Sequence, residues 1–87
     1  MRRRDMQQHN ALVLFASLEE EIRQFGIAPP VPWPWAKRPG GGIDLALRCD
    51  QLIEFRDLLR ASSPERIAEL GRENRDAWLR YAERLIP

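Results

Sequence analysis

The stretch APPVPWPW, residues 28–35, restricts the fold of this chain more than any other feature. Proline has no backbone N–H to donate and pushes the preceding residue out of the α region, so the stretch suits neither a helix interior nor a central strand. We expect an extended, polyproline-like conformation here. Three consecutive glycines, residues 40–42, follow closely and give the chain further freedom. Residues 27–42 therefore form a linker that is long for a compact domain, and such linkers are usually functional or disordered.

The chain before the linker is predicted to form a helix over about residues 5–25. Its apolar residues recur at spacings of three and four, which places them on one face of an α-helix: Ala11, Phe15, Leu18, Ile22 and Phe25. Gly26 stands where a helix commonly ends. Leu12, Val13 and Ala16 lie outside this apolar stripe. Either the third helix covers them, or they contact another molecule.

A second helix is predicted over about residues 44–61. Its apolar residues recur with helical spacing, and Asp44 or Asp50 supplies the N-cap. The alternation of apolar residues in 43–48 leaves a second possibility, a short strand followed by a helix that begins at Asp50. A lone strand has no obvious partner in this chain, which favours the helix.

A third helix is predicted over about residues 64–85. Ser63 is a good N-cap, and Pro64 suits the first helical position. The apolar stripe is interrupted by Gly71 and Asn74. We expect another helix to approach closely at Gly71, with a kink there as the alternative. Because so few residues separate the second helix from the third, the two are expected to pack as an antiparallel hairpin.

The 87 residues suffice for a single small helical domain, residues 1–87. A chain this short buries only roughly 60–65% of the surface that its unfolded form exposes. It must nevertheless accommodate three tryptophans and three phenylalanines. The predicted fold is all-α: three helices, the last two as a hairpin, with the linker 27–42 packed across them.

The side chains of the linker fit two different roles. A polyproline segment around Pro30 and Pro32 is preordered for recognition, and Trp33 and Trp35 would anchor a partner. The same residues fit a lid over the protein's own helices, where burial of a large aromatic side chain contributes roughly 2–3 kcal/mol. We favour the lid. Because Trp33 and Trp35 are two residues apart in an extended chain, one can face the core and the other the solvent.

The sequence offers few groups for catalysis or for metal and cofactor binding. His9 is the only histidine and Cys49 the only cysteine, so acid–base chemistry, a disulfide and a Cys/His metal site have little support. Cys49 suits a small buried residue. The glycines in RPGGGID precede a helix start, yet the phosphate-loop motifs are absent and a hinge is the better interpretation. We predict no enzyme activity, no metal and no cofactor.

The charge pattern gives limited support for nucleic-acid binding. The net charge of +1 is far from the strong basic excess typical of that class. Three residues form a short basic arm on which this alternative mainly depends: Arg2, Arg3 and Arg4. The arginines of the third helix alternate with acidic residues, and we expect i,i+4 pairs of Asp76 with Arg72 and Arg80.

The sequence predicts a non-enzymatic protein–protein interaction module: an adaptor, regulatory subunit or inhibitor that binds a larger protein complex. The candidate partner-binding residues are Pro30, Pro32, Trp33, Trp35, Leu12 and Val13. The alternative is a small nucleic-acid-binding regulator that uses the arginine arm and the third helix. A homodimer through the residues outside the apolar stripe of the first helix fits either function. No signal peptide or membrane-spanning segment is apparent, so we expect no membrane partner and a cytoplasmic location.

Overall fold

The computed structural model of the chain describes the backbone of residues 3–85 and the side chains of residues 10–84. It contains three α-helices and one short 3₁₀ turn: α1 (Arg3–Gln24), the turn (Pro34–Ala36), α2 (Leu45–Arg60) and α3 (Pro64–Leu85). Residues 3–85 contain no β-strand, and one isolated bridge joins Lys37 to Ile43. The all-α fold with three helices is thus confirmed. The alternative of a short strand at 43–48 is wrong.

The helix ends follow from local side-chain chemistry. Gly26 has φ +81 and donates its N–H to the Arg23 carbonyl oxygen at 2.8 Å, which ends α1 in the left-handed conformation that glycine favours. Asp44 caps α2, because its carboxylate accepts the Leu47 N–H at 3.2 Å. Ser63 caps α3, where its hydroxyl oxygen accepts the Arg66 N–H, also at 3.2 Å.

The core forms mainly where α1 packs against α2. Its buried apolar residues come from all three helices and the start of the linker: Leu18, Ile22, Ile27, Cys49, Leu52, Leu59 and Leu70. At the surface, the Arg60 guanidinium donates to the Glu21 carboxylate at 2.7 Å and ties α2 to α1. The predicted apolar stripe of the first helix contributes Leu18 and Ile22 to this core, with Phe15 and Phe25 packed against it.

The close helix pair is α1 with α2 rather than the expected hairpin of α2 with α3. Residues 61–63 connect α2 to α3, yet the middle of α3 contacts the linker. A Cβ atom at Gly71 would lie 3.5 Å from the Ile27 side chain, so the close approach predicted at Gly71 comes from the linker and not from a helix. The physical reason is that the linker occupies the space where α2 and α3 would otherwise meet.

The molecule is flat, with extents of 46 × 36 × 16 Å. Its shortest dimension is less than half of either of the other two. Large apolar side chains of α1 and α3 are exposed, among them Leu12, Val13 and Leu79. No other element of the described chain fully covers these helix faces.

Candidate functional site

The first part of the linker, residues 27–36, forms an extended segment that we call the strap. Ile27, Pro29 and Ala36 are its buried residues. The linker is thus packed across the helices, as the lid interpretation predicted, although its buried side chains are not the tryptophans.

Two carbonyl groups at the start of the strap accept hydrogen bonds from α3. The Asn74 side-chain amide donates to the Ala28 carbonyl oxygen at 2.8 Å. The Trp78 indole N–H donates to the Pro29 carbonyl oxygen at 2.7 Å. Asn74, which interrupts the apolar stripe of the third helix in the sequence, is therefore a buried donor with a defined acceptor.

The next two carbonyl groups accept hydrogen bonds from α2. The Arg48 guanidinium donates to the Pro30 carbonyl oxygen and to the Gln51 side-chain oxygen. The Gln51 amide donates to the Val31 carbonyl oxygen at 2.9 Å. The exposed fractions of Arg48 and Gln51 are only 3% and 2%. Burial lowers the pKa of Arg48, and the charge of Glu19 acts in the opposite direction.

Sequence reasoning did not identify Arg48 and Gln51 as structural residues. Both lie on α2 beside its apolar stripe, where polar residues usually face solvent. Their polarity is explained by the strap, whose prolines carry carbonyl acceptors but no N–H donors. The four consecutive acceptors, residues 28–31, bridge α3 to α2 and fix the path of the strap.

The two strap tryptophans lie outside the core. The exposed fraction of Trp33 is 37% and that of Trp35 is 59%. Their ring centroids are 4.6 Å apart and the rings are inclined at 42°, so each covers part of the other. The sequence allowed one tryptophan to face the core and the other the solvent, but neither is buried, and Pro29 and Ala36 occupy the buried positions of the strap.

Trp33 stands between two grooves of similar size. The apolar groove, of ≈ 280 Å³, is lined mainly by Pro30, Trp33, Phe55 and Leu58.

The basic groove, of ≈ 290 Å³, lies between the strap and the second half of α3. Its lining includes Trp33 and four further side chains that bear on recognition: Lys37, Arg80, Tyr81 and Arg84. The Lys37 ammonium lies 5.0 Å from the centroid of the Tyr81 ring, which is within the range of a cation–π interaction.

A larger groove of ≈ 650 Å³ lies between the end of α1 and the first half of α3. Ile67, Gly71 and Trp78 line it together with the start of the strap. Arg72 and Arg75 also line it.

The three glycines that follow the strap form a closed turn, and the hinge expected there stays a prediction. Their φ angles are +84, +99 and +89 for Gly40, Gly41 and Gly42, all in the region that favours glycine. The Arg38 N–H donates to the Gly42 carbonyl oxygen at 3.0 Å and closes the turn. The Asp44 N–H then donates to the Ala36 carbonyl oxygen at 2.6 Å, which joins the start of α2 to the strap.

The residues outside the apolar stripe of α1 remain uncovered by the described chain. Leu12 and Val13 each have an exposed fraction of 58%, and Ala16 is also exposed. Of the two alternatives, covering by the third helix is wrong, because α3 lies against the strap. The contact with another molecule stays a prediction.

The proposed basic arm, Arg2, Arg3 and Arg4, lies largely outside the described residues. Arg2 lies outside the described residues. Arg3 and Arg4 belong to the backbone of α1, and their side chains are outside the described part, as is that of His9.

The expected ion pairs on α3 are absent among the described side chains. The ion pairs that α3 does form connect Arg66 to Glu69 at 2.6 Å and to Glu73 at 3.5 Å. Asp76 pairs with neither Arg72 nor Arg80 within 4.0 Å, so the positive charge of this helix is less neutralised than the sequence suggested.

Cys49 is buried as predicted, and its thiol lies 3.5 Å from the Ala11 carbonyl oxygen. Burial raises the pKa of this thiol, Asp50 acts in the same direction, and the positive charge of Arg48 opposes both. Within the described residues, no group of three or more His, Cys, Asp or Glu side chains is placed to hold a metal ion. None of the helices in residues 3–85 combines the length and the apolar character that crossing a membrane requires.

No protein-family model, no curated protein and no solved structure matches the chain. A function must therefore be inferred from the surfaces described above.

Proposed function

We propose that this chain is a non-enzymatic protein–protein interaction module, an adaptor, regulatory subunit or inhibitor that binds a larger protein complex. The observation that carries the proposal is the outer face of α1, formed by Leu12, Val13 and Ala16, whose exposed side chains lie outside the buried apolar stripe of the helix. The proposal keeps the cytoplasmic location and the absence of enzyme activity that the sequence predicts.

The outer face of α1 supports the proposal through its composition. On the inner side of the helix, Leu18 and Ile22 are fully buried, so the fold already uses one apolar face. Leu12 and Val13 add a second apolar face, and Ala16 extends it by one turn. Single exposed apolar residues are common, but Ala16 lies one turn from both Leu12 and Val13 and joins them into a contiguous patch, and contiguous exposed apolar patches are typical of contact surfaces. Complete burial of a fully exposed Leu or Val side chain contributes about 1.5–3 kcal/mol, and the partly exposed Leu12 and Val13 would contribute less than this to a complex.

The strap offers a second apolar surface to the same or another part of the partner. Four side-chain hydrogen bonds hold the backbone of residues 28–31. Of the candidate residues, Pro30 lies within this stretch, and Pro32, Trp33 and Trp35 follow directly after it. A rigid segment loses little conformational freedom on binding, so more of the contact energy appears as affinity. Tryptophan is also enriched among the residues that dominate binding energy at interfaces.

Nucleic-acid binding remains the second candidate because of the charges on α3. The net charge of α3 is zero, yet several of its arginines form no ion pair with a described side chain, and such arginines can contact phosphates. Such binding would weaken steeply as salt is added. Binding to a protein through Leu12 and Val13 would tolerate salt, which separates the two candidates.

A photo-crosslinking residue at position 13, introduced in the full chain in its native cells, tests the proposal. The matched control carries the same residue in place of Leu79, which is exposed to 60% on α3. We expect a discrete protein adduct from position 13 that resists nuclease and high salt, and no such adduct from position 79. An adduct with a second copy alone would identify a homodimer instead. A nuclease-sensitive adduct, or the same adducts from both positions, would contradict the proposal.

A further inference from the structure

We infer that the basic groove between the strap and α3 binds a short acidic peptide segment of the partner protein. This inference rests on the proposed function and adds the chemistry of the segment that docks beside Trp33. The partner is identified here only by its negative charge and its extended form.

The charge of the groove supports an acidic occupant. Lys37, Arg80 and Arg84 line it, and no carboxylate is among its lining residues. Arg80 and Arg84 form no ion pair with any described side chain, and both are exposed. Their guanidinium groups therefore remain available for paired hydrogen bonds to carboxylates.

The shape of the groove favours an extended segment over a folded element. A volume of ≈ 290 Å³ holds a few side chains and is too small for a helix. One wall is the strap, with Pro32 and Trp33, and the other is α3, where Ala77 lines the groove together with the arginines. This apolar floor with a cationic rim fits a peptide in which an apolar side chain is flanked by Asp or Glu.

The same features fit a nucleic-acid strand less well. Stacking of bases needs free aromatic faces, whereas the rings of Trp33 and Trp35 cover each other at 4.6 Å. A phosphate backbone that continued beyond the groove would also meet the exposed carboxylates of Asp76 and Glu83 on α3. A short acidic peptide can end before it reaches them.

The test is a titration of the purified full chain with fluorescent peptides at low ionic strength, read by anisotropy. The probes are the nonapeptide DEDFDELDE, its basic counterpart RKRFRKLRK, and an oligothymidylate of similar length. The groove variant is Arg80→Glu/Arg84→Glu, and the matched control is Arg72→Glu/Arg75→Glu, which makes the same charge change on the same helix outside the groove. The variant Arg80→Gln/Arg84→Gln repeats the measurement without charge reversal, in case the first variant fails to fold.

We expect the acidic peptide to bind and the basic peptide not to bind. Affinity for the acidic peptide should fall about tenfold or more in the groove variant, and about twofold or less in the control variant. An equal loss in both variants would overturn the inference, because it would show that binding depends on the general charge of α3 and not on the basic groove. So would an absence of acidic-peptide binding, or tighter binding of the oligothymidylate that the groove variant abolishes.

The outcome can be separated from that of the crosslinking experiment. The titration contains no partner protein and depends on residues of the strap and α3, whereas the crosslink depends on α1. A protein adduct at position 13 without peptide binding would support the proposed function and overturn only the inference that the basic groove binds an acidic peptide. Peptide binding without an adduct would support the groove and contradict the role of α1.

Discussion

At the scale of single residues, the indole N–H of Trp78 ties α3 to the strap. It donates to the Pro29 carbonyl oxygen at 2.7 Å, and the ring also contacts Tyr81 edge-on at 5.8 Å between centroids. Trp78→Phe keeps an aromatic ring and removes the donor. Because a part-buried carbonyl then loses its partner, we expect the free energy of unfolding to fall by about 1–2 kcal/mol in urea denaturation.

Tyr81→Phe is the control for that measurement, since the Tyr81 hydroxyl has no hydrogen-bond partner in the described chain. Its free energy of unfolding should stay within about 0.5 kcal/mol of the wild-type value. Equal stability of Trp78→Phe and the wild type would show that the bond to Pro29 does not hold the strap.

The buried thiol of Cys49 predicts a dependence of stability on pH. Its pKa is raised in the folded state by burial, so the folded state holds the proton more tightly than the unfolded chain does. This contribution to stability is complete below the ordinary thiol pKa and is lost as the pH rises from there through the raised pKa. Urea denaturation across the alkaline range should show the loss in the wild type, and the difference from Cys49→Ala should isolate it. The same slope in both proteins would contradict this assignment.

At the scale of elements, the glycine turn after the strap should tolerate no side chain. Gly41 has φ +99, and an alanine there would be strained although no atom lies within 4 Å of its Cβ. We expect Gly41→Ala to lower the free energy of unfolding by about 1–2 kcal/mol, measured by thermal or urea denaturation.

The same substitution at Gly71 is the matched control and should have the opposite sign. Gly71 lies inside α3, and an added Cβ would meet the Ile27 side chain at an ordinary contact distance of 3.5 Å. Alanine is favoured over glycine in a helix by about 0.8–1 kcal/mol, so Gly71→Ala should stabilise the protein. Destabilisation by both substitutions would mean that Ile27 cannot adjust.

Tryptophan fluorescence reports the solvent exposure of the strap side chains directly. In Trp78→Phe only Trp33 and Trp35 emit, and both are exposed to solvent. We expect a red-shifted emission that acrylamide quenches readily. In the complementary variant Trp33→Phe/Trp35→Phe, the half-buried Trp78 should emit further to the blue and be quenched less. Shielded, blue-shifted emission from the strap pair would contradict the exposed arrangement.

The helices could be predicted from the sequence because their signals are local. Helical spacing of apolar residues, the Asp44 and Ser63 caps and Gly26 depend on neighbours within a few positions. The strap could be predicted as extended and packed, since proline restricts the backbone wherever it occurs.

The side-chain hydrogen bonds that hold the strap, which we call its tethers, could not be predicted because they join distant positions. Asn74 and Ala28 are 46 residues apart, and Trp78 and Pro29 are 49 apart. Arg48 and Gln51 bind the strap, and the strap then lies between α2 and α3. The antiparallel hairpin that the short connection between these helices predicts therefore does not form. These hydrogen bonds also determine which strap side chains face the helices and which face solvent. The exposure of Trp33 and Trp35 therefore could not be predicted from a local pattern.

At the scale of the whole molecule, the exposure of Leu12 and Val13 predicts that the outer face of α1 adds little to stability. Leu12→Glu/Val13→Glu replaces two largely exposed side chains, so we expect a change in the free energy of unfolding within about 0.5 kcal/mol per site. Leu18→Ala, on the buried side of the same helix, should cost about 2–5 kcal/mol. Both are measured by urea denaturation of the full chain. A large loss in the outer variant would mean that this face is covered and is not free for a partner.

The way the strap is held determines how the sequence can diverge. Its tethers end on backbone carbonyl groups, which every amino acid carries, whereas the donors are particular side chains on α2 and α3. Selection for a stable fold should therefore restrict which residues can stand at the donor positions, such as Gln51 and Asn74, more than at the outward positions of the strap. Trp33 and Trp35 can then change with the partner while the scaffold beneath them is conserved.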